Sequence, residues 1–495
     1  MKKISILISV CVLLLWGLPA CSDDVEYSTS TGDRLSFSTD SVKFDTLFTT
    51  LGSSTRVLQI YNHNSKALKI TSIVQAAAST SGFRVNVDGQ FATTFDNLEV
   101  RSGDSMYVFV EITPTAQQSN LPVMIADSLI FTLESGVRQS VKLVAYGQDA
   151  TTLRAPHFTA DSTLTATKPY LVYDSLLVDS GVTLTLEPGT RLFFHKGVKC
   201  LIRGTLNATG TAQAPILFRG DRTDNMFTDM PYDLIPGQWG GIKLYESSYN
   251  NAFIYCDIHS SQYGIKCEMA DPSRLKLTVE NSVIQNASGN VLEMTMCRAM
   301  VGNSLLVTAG GHCVSILGGA ASFVHCTIAN FYSWSARGEA LRIDNIKNDT
   351  IYPLFGVDFV NCIITGDGAD EIKGSVAEKS DSVDYSQYAI YSFSYSLINS
   401  TDSSNTHFTH ITWDKKSNEV WGVAQFKSIY NTNRHYNFHL DSLSTARDIA
   451  NPDYAAIYPY DLDGNNRLAD GKPDAGCYEW QNAKSDKPKA IIKRR

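Results

Sequence analysis

The amino-acid sequence predicts an all-β protein in which an antiparallel β-sandwich is followed by a parallel β-solenoid. Short runs of alternating apolar and polar residues extend to Gly147, and a six-residue motif with a spacing near 22 residues recurs beyond it. Alternation with a period of two is typical of half-buried strands, and a fixed longer repeat is typical of solenoids. We expect the sandwich at 35–150, the solenoid at 151–445, a closing segment at 446–480 and a basic disordered tail at 481–495.

The first residues predict a secretory signal at 1–20. Lys2 and Lys3 precede an apolar run at 4–16, which is shorter than the roughly 20 residues needed to cross a bilayer. The run leads into Leu18-Pro19-Ala20-Cys21, which resembles the lipobox of bacterial lipoproteins. This resemblance implies that Cys21 is acylated and anchors the protein in a lipid bilayer, because several acyl chains together hold a protein there almost permanently. A plain signal peptide with an incidental cysteine is the alternative.

An acidic tether is expected at 21–34. Ser22 differs from the Asp-type signal for retention in the inner membrane, and Asp23, Asp24 and Glu26 follow closely. This acidic cluster resembles the surface-export signal of Bacteroidota-type lipoproteins, which implies a lipid-anchored, surface-exposed protein of the outer membrane. A solvated tether without a sorting role is the alternative.

Charge and cysteine content exclude some classes of function. The formal net charge is −8, which argues against nucleic acid as a partner because phosphate binding needs a basic face. Eight cysteines remain beyond Cys21, and none of them forms a CxxC pair, so zinc or thioredoxin-type chemistry is not indicated. Cys326 and Cys362 are expected on adjacent solenoid turns, as stacked free thiols or, alternatively, as a disulfide.

The segment 35–150 carries the signature of an immunoglobulin-like β-sandwich. Apolar residues alternate in stripes such as Leu58 with Ile60 and Val108 with Val110, and turn clusters such as 62–65 and 102–105 separate them. Strands at intervals of about 10 residues are typical of such sandwiches. Since the span contains no cysteine, an antibody-type disulfide between its sheets is excluded.

The solenoid prediction depends on six aligned copies of one motif. Its pattern is Phe/Val, any residue, Asn/His/Tyr, Cys/Ser, any residue, Ile/Leu. The first and last positions have opposite parity in a straight strand, so both face the core only if the chain bends at the third position. Asn tolerates the left-handed conformation that such a bend requires. The copies begin at Phe253, Val279, Val301, Phe323, Phe359 and Phe393.

The flanking segments carry a resemblance to a known family. The stretches 181–190, 204–206, 214–218 and 239–242 resemble the opening turns of bacterial surface proteins with a right-handed parallel β-helix, the pectin-lyase-like fold. The stretches 461–467 and 474–479 resemble their closing motif. Together with the sandwich, these features resemble a Bacteroidota family of lipoproteins whose activity is undefined, so the resemblance implies an architecture and a location but no chemistry.

One outward row of the predicted solenoid is a candidate binding face. The second strand of each turn places Lys266, Glu293, Ser315 and Arg342 in one ladder outside the core, with Glu268 and Asp344 beside it. We interpret Lys266, Glu293 and Arg342 as a glycan-binding face, with an ordinary solvated face as the alternative.

No convincing catalytic set accompanies this face. Glycoside hydrolysis needs two carboxylates across the scissile bond. Of the polygalacturonase-type motifs, the chain offers only Gly311-His312-Cys313 and Arg342-Ile343-Asp344, so no catalytic residue is assigned.

A weak calcium loop is the only metal site that the sequence indicates. Asp461, Asp463 and Asn465 offer alternate oxygen ligands around Gly464, in the manner of a calcium-binding loop. Lys472 occupies the position where such a loop requires glutamate. A turn held by Asx hydrogen bonds is the alternative.

The sequence therefore predicts a non-catalytic surface lipoprotein whose β-helix binds a glycan or another surface partner. A calcium-assisted polysaccharide lyase or glycoside hydrolase is the first alternative, and a structural component that binds other envelope proteins is the second.

Overall fold

The computed structural model describes residues 25–227, 230–377, 384, 386–404, 406–417, 420–429 and 434–482. The predicted signal, Cys21 and nearly all of the basic tail lie outside the described residues. The described chain is almost entirely β and forms two compact units, 25–117 with Val123–Gly147, and Gln118–Pro122 with 148–482. Among these residues, no helix is both long enough and apolar enough to span a membrane.

The first unit contains two five-stranded sheets. In order across each sheet, the strands of the first are Ser36–Phe37, Arg56–Tyr61, Ser105–Ile112, Phe83–Val87 and Gln90–Phe91, and those of the second are Ser41–Phe48, Arg138–Gln148, Val123–Leu133, Leu68–Gln75 and Thr94–Val100. The central strands of both sheets pair antiparallel. The predicted alternation explains the packing, because inward residues such as Leu58, Val108 and Phe131 share one fully buried core.

The second unit is a parallel β-helix-like solenoid, and we name its 11-stranded sheet face 1. Face 1 has eleven parallel strands. They are Thr151–Arg154, Tyr170–Tyr173, Arg191–Phe194, Ile216–Gly220, Cys256–His259, Val283–Ala287, Leu305–Ala309, Thr327–Asn330, Ile363–Gly366, Leu397–Ile398 and Thr412–Trp413.

Two further rows of parallel strands complete the coils. Face 2 contains His157–Phe158, Leu176–Val178, Lys199–Ile202, Gly241–Leu244, Ile265–Cys267, Leu341–Asp344 and Ile372–Lys373. Face 3 contains Ser162–Leu164, Thr183–Leu186, Thr205–Thr209, Asn251–Ile254, Leu275–Glu280, Leu354–Val360, Ala389–Ser394 and Phe408–Thr409. The long strands Leu292–Gly302 and Val314–Val324 run through both faces and join them into one 17-stranded sheet.

The predicted register of the six motif copies is confirmed. On face 3 the first motif position pairs from Phe253 through to Phe393, and on face 1 the last position pairs from Ile258 through to Ile398. Inside the coils, the rings of Phe323 and Phe359 stack at 4.6 Å between centroids. The apolar positions of the repeated motif therefore form a continuous apolar column inside the solenoid.

The predicted bend is also present, and it forms a corner row between face 3 and face 1. All six residues at the third motif position have positive φ, namely Tyr255 (51°), Asn281 (51°), Asn303 (46°), His325 (52°), Asn361 (55°) and Tyr395 (49°). The Asn303 amide donates to Oδ1 of Asn281 on the preceding coil over 2.7 Å. Such amide contacts offset part of the cost of the left-handed conformation.

The parallel pairing ends at Thr412–Trp413, before the expected solenoid boundary at 445, and the following chain covers the outside of face 1. Outward residues of face 1, such as Leu305 and Ile363, form one buried cluster with Phe438, Leu440 and Tyr478. The remaining elements are the strand pairs Asn225–Phe227 with Met230–Pro231, Ile346–Lys347 with Thr350–Ile351, and Phe426–Ser428 with Asn437–Leu440, the 3-10 turns Tyr232–Leu234, Ser386–Tyr388 and Val423–Gln425, and the short helix Pro452–Ala455.

Candidate functional site

The predicted charge ladder on face 2 is confirmed as a structural row. Lys266 pairs in register with Glu293, Glu293 with Ser315, and Ser315 with Arg342. Each of these residues follows or precedes buried neighbours in its strand, such as Ile265 and Cys267, so strand alternation directs it out of the core. Its role in glycan binding remains a prediction.

Carboxylates neutralise the cations of this ladder. Lys266 Nζ donates to Glu293 Oε1 over 2.7 Å, and Arg342 Nε donates to Asp344 Oδ2 over 2.7 Å. The hydrogen bond to Asp344 raises the pKa of Arg342. Because these side chains are partly exposed, each pair adds little to stability. The pairs do hold charged hydrogen-bonding groups at fixed positions, which favours a binding role.

A cleft of about 530 Å³ lies over this part of face 2. Glu293, Ser315 and Arg342 line it from the ladder, and Asn290, His312 and Asp344 line it from neighbouring positions. The Asn290 amide donates to Glu293 Oε2 over 3.1 Å, while its Oδ1 accepts from the main-chain N–H of His312 over 2.8 Å. The cleft therefore offers donors and acceptors fixed by their neighbours, as a binding site for a polar ligand requires.

His312 is a proton acceptor in this cleft, beside the carboxylates of Glu293 and Asp344. Burial lowers its pKa, which leaves the imidazole neutral at neutral pH. Its Nδ1 lies 3.5 Å from Glu339 Oε2. Burial alone would raise the pKa of Glu339, but the hydrogen bond from Lys373 and the other contacts outweigh it and lower that pKa. Glu339 is therefore ionised and unsuited to act as a general acid.

The residues of the predicted calcium loop engage one another. Asp461 Oδ1 accepts from the main-chain N–H groups of Asp463 (3.0 Å) and Asn465 (2.6 Å), and Oδ2 accepts from Asn465 Nδ2 (3.0 Å) and the Glu479 N–H (2.9 Å). Asp463 Oδ2 faces His439 Nε2 at 2.7 Å. Because donors surround Asp461, these contacts fit the Asx-turn alternative better than a cage of oxygen ligands. Among the described residues, no group of three or more His, Cys, Asp or Glu side chains is arranged to hold a metal ion.

Sequence reasoning missed a second polar cluster, outside face 1. His259 is buried, with Nε2 2.6 Å from Asp233 Oδ1 and Nδ1 2.9 Å from Asp257 Oδ1, and Arg219 Nη2 lies 2.9 Å from the same Asp233 oxygen. The alternation of Asp257 and His259 in one strand was a signal that both point outward. The contribution of Asp233, from an insertion between coils, had no such signal.

Comparisons with known proteins give only weak likenesses. No protein-family model matches the sequence, and no curated protein matches it. A Porphyromonas gingivalis W83 protein of unknown function matches 26% of this chain at 12% identity with a TM-score of 0.19, and the match spans 51% of that protein. A family 123 glycoside hydrolase from Clostridium perfringens matches 24% at 6% identity with a TM-score of 0.17, over 26% of its length. A PapD-like domain of human CEP192 matches 27% at 14% identity with a TM-score of 0.17, over 96% of its length. Likenesses of this strength support no argument about function.

Proposed function

We propose that the protein is a surface lipoprotein, anchored in the outer membrane through acylated Cys21, whose face-2 cleft binds a glycan. The observation that supports glycan binding is the cleft of about 530 Å³ lined by Glu293, Ser315, Arg342 and their neighbours. Sugars present many hydroxyl groups, and a row of fixed carboxylates, amides and a guanidinium offers matching partners. The lipobox-like sequence and the acidic residues after it support the location.

The finer architecture belongs to the same proposal. We assign the first unit to the immunoglobulin-like sandwiches, supported by two five-stranded sheets around one core. We assign the solenoid to the right-handed, pectin-lyase-like β-helices, supported by three rows of parallel strands and a left-handed corner residue in successive coils. We propose that the sandwich acts as a stalk and that the solenoid presents the binding face.

Binding is tested by titrating the soluble 22–495 chain with a panel of uronate-rich glycans in a calorimeter. We expect binding that Arg342→Gln weakens about tenfold, the change expected when one charged contact is lost. Lys142→Gln, at an exposed position of the first unit, is the matched control and leaves the affinity unchanged. Failure of every glycan to bind would contradict the proposal and favour a structural envelope component.

A polysaccharide lyase is the second candidate, favoured by the neutral His312 in the same cleft as Arg342. In such a β-elimination His312 removes the C5 proton of the uronate, whose carboxylate Arg342 contacts. A C4–C5 double bond forms as the C4–O glycosidic bond breaks, and the departing oxygen takes a proton from water. Unsaturated products, detected by ultraviolet absorbance during incubation with the same glycans, would establish this activity. Their absence in the presence of binding supports the non-catalytic proposal.

The anchor is tested separately, in cells that express the full chain. Mass spectrometry of the mature protein is expected to show a diacylglyceryl thioether at Cys21, and Cys21→Ser is expected to release the protein from the membrane fraction. An unmodified Cys21 would support the plain signal peptide instead.

A further inference from the structure

A second cleft lies on face 3, and its residues differ from those of the face-2 cleft. It has a volume of about 560 Å³ and is lined by the outward side of strands Leu292–Gly302, Val314–Val324 and Leu354–Val360. The small residues Ala320 and Ser322 lie in the middle strand. Met300 and Phe355, in the two flanking strands, are 45% and 51% exposed. Large apolar side chains beside small residues leave room for a ligand against an aromatic ring.

A β-bulge directs Phe355 into the solvent. Leu354, Val357 and Phe359 are all fully buried, although Leu354 and Val357 have opposite parity in a regular strand. The register shifts between Phe355 and Val357 against the following coil, and Gly356 has a φ of 128°, a conformation that favours glycine. The extra residue therefore keeps both neighbours in the core while Phe355 points outward.

Polar groups surround the exposed ring. The side chain of Arg298 is exposed and makes no hydrogen bond or ion pair with the side chains or main chain of the described residues. Asp358 Oδ1 accepts from Ser392 Oγ over 2.7 Å, and Asp271 Oδ1 accepts from the Ser273 N–H over 2.9 Å. Each carboxylate retains acceptor capacity toward the cleft. The lining thus combines an aromatic face, an unpaired guanidinium and hydroxyl-binding carboxylates.

We propose that this cleft binds a sugar ring that carries a carboxylate. A pyranose presents an apolar C–H face, which stacks on Phe355, and a rim of hydroxyl groups, which donate to Asp358 and Asp271. The sugar carboxylate pairs with the planar donor fork of Arg298. A peptide strand fits less well, because the strands that line the cleft are already paired on both sides and leave no edge for a further strand. This site is additional to the face-2 cleft and stands on its own residues.

The test measures how the full chain, kept in detergent, binds two ligands. One is an oligogalacturonate, and the other is the same oligosaccharide with its carboxyl groups reduced to alcohols. Calorimetry uses a variant that carries Arg342→Gln, which weakens binding at the face-2 cleft about tenfold and leaves the residues that line the face-3 cleft unchanged. In that background we expect Phe355→Ala to weaken the binding of both ligands about tenfold. We expect Phe355→Trp to leave both affinities unchanged. Arg298→Gln is expected to abolish the preference for the acidic ligand and leave the reduced one unchanged.

Ile390→Ala is the matched control. Ile390 is also 51% exposed and pairs in register with Phe355 on the next coil, but it does not line the cleft. Unchanged affinity in this variant together with the losses above supports the proposal. Equal binding by the parent and Phe355→Ala, a preference for the acid that survives Arg298→Gln, or displacement of the sugar by an apolar peptide would each overturn it. Failure of the face-2 proposal has a different result: Arg342→Gln would then leave the affinity unchanged, while the effects of Phe355→Ala and Arg298→Gln would remain.

Discussion

The buried guanidinium of Arg467 donates from Nη2 to Oδ1 of Asn303 over 2.6 Å, across a sequence separation of 164 residues. Its Nη1 donates to Glu479 Oε1 over 2.9 Å, and both Arg467 and Glu479 are buried. Asn303 belongs to the left-handed corner row. The contact therefore fastens the C-terminal segment to the corner of the solenoid.

We expect Arg467→Met to destabilise the second unit strongly. The substitution leaves the carboxylate of Glu479 and the amide oxygen of Asn303 buried without this partner, and breaking a buried ion pair on one side costs about 3–5 kcal/mol. Chemical denaturation measured by circular dichroism checks the prediction. Arg447→Met is the control in the same segment, because Arg447 is only half-buried and stacks on Trp480. Equal stability of the two variants would show that Arg467 does not fasten the segment.

Much of the solenoid could be predicted from the sequence because each coil requires the same types of residue at its corner. A residue that bends the chain and a small buried residue must follow one another at the corner, and Asn281-Ser282 and Asn361-Cys362 satisfy both requirements. Once the copies are aligned, the alignment also fixes the outward ladder, which is why Lys266 and Glu293 could be placed in register.

The cover over face 1 could not be predicted in the same way, because its contacts join residues far apart in sequence. Arg467 has no pattern in its own neighbourhood that indicates Asn303. A local signal existed in Leu305-Leu306-Val307, since an uninterrupted apolar strand is typical of a sheet that is buried on both sides. The face-3 cleft depends on the bulge at Gly356, and a strict two-residue alternation cannot reveal an inserted residue.

We expect the eight cysteines of the 22–495 chain to be unreactive thiols in the native protein. All eight are buried and free, and burial raises the pKa of Cys200 to about 12. Thiolate is the reactive form, so a thiol reagent should modify none of them until denaturant is added and then modify all eight. Cys326 and Cys362 occupy equivalent positions on adjacent coils. Two missing thiols after denaturation without reductant would point to a disulfide between them.

His259 is expected to make the stability of the second unit depend on pH. Burial alone would lower its pKa, but Asp233 and Asp257 outweigh that effect and raise it to about 9. Because the folded pKa exceeds the unfolded value near 6.5, the stabilisation is complete below about pH 6.5 and is lost as the pH rises through about 9. At 1.36 kcal/mol per pKa unit, the full contribution is on the order of 3 kcal/mol.

The pH effect is checked by comparing free energies of unfolding on either side of this range. We expect His259→Gln to remove most of the decline in stability between about pH 6 and pH 9. His410→Gln is the control, because His410 is an exposed histidine of the same unit that stacks on Tyr395. A decline that persists unchanged in His259→Gln would show that other groups cause it.

At the corner row we expect a glycine variant to be more stable than the alanine variant, which is the reverse of the usual order within a strand. Asn281 has a φ of 51° and accepts the Asn303 amide through its Oδ1. Asn281→Ala and Asn281→Gly both remove that acceptor, but only glycine adopts the left-handed conformation without strain. Glycine normally costs about 0.5–1 kcal/mol relative to alanine within a strand, whereas the left-handed conformation costs other residues roughly 1–2 kcal/mol. We therefore expect Asn281→Gly to be the more stable variant by denaturant unfolding.

The same pair of substitutions at Thr278, an outward strand position three residues earlier, is expected to show the ordinary order, with alanine more stable. If alanine were also the better residue at 281, the corner would not depend on the left-handed conformation.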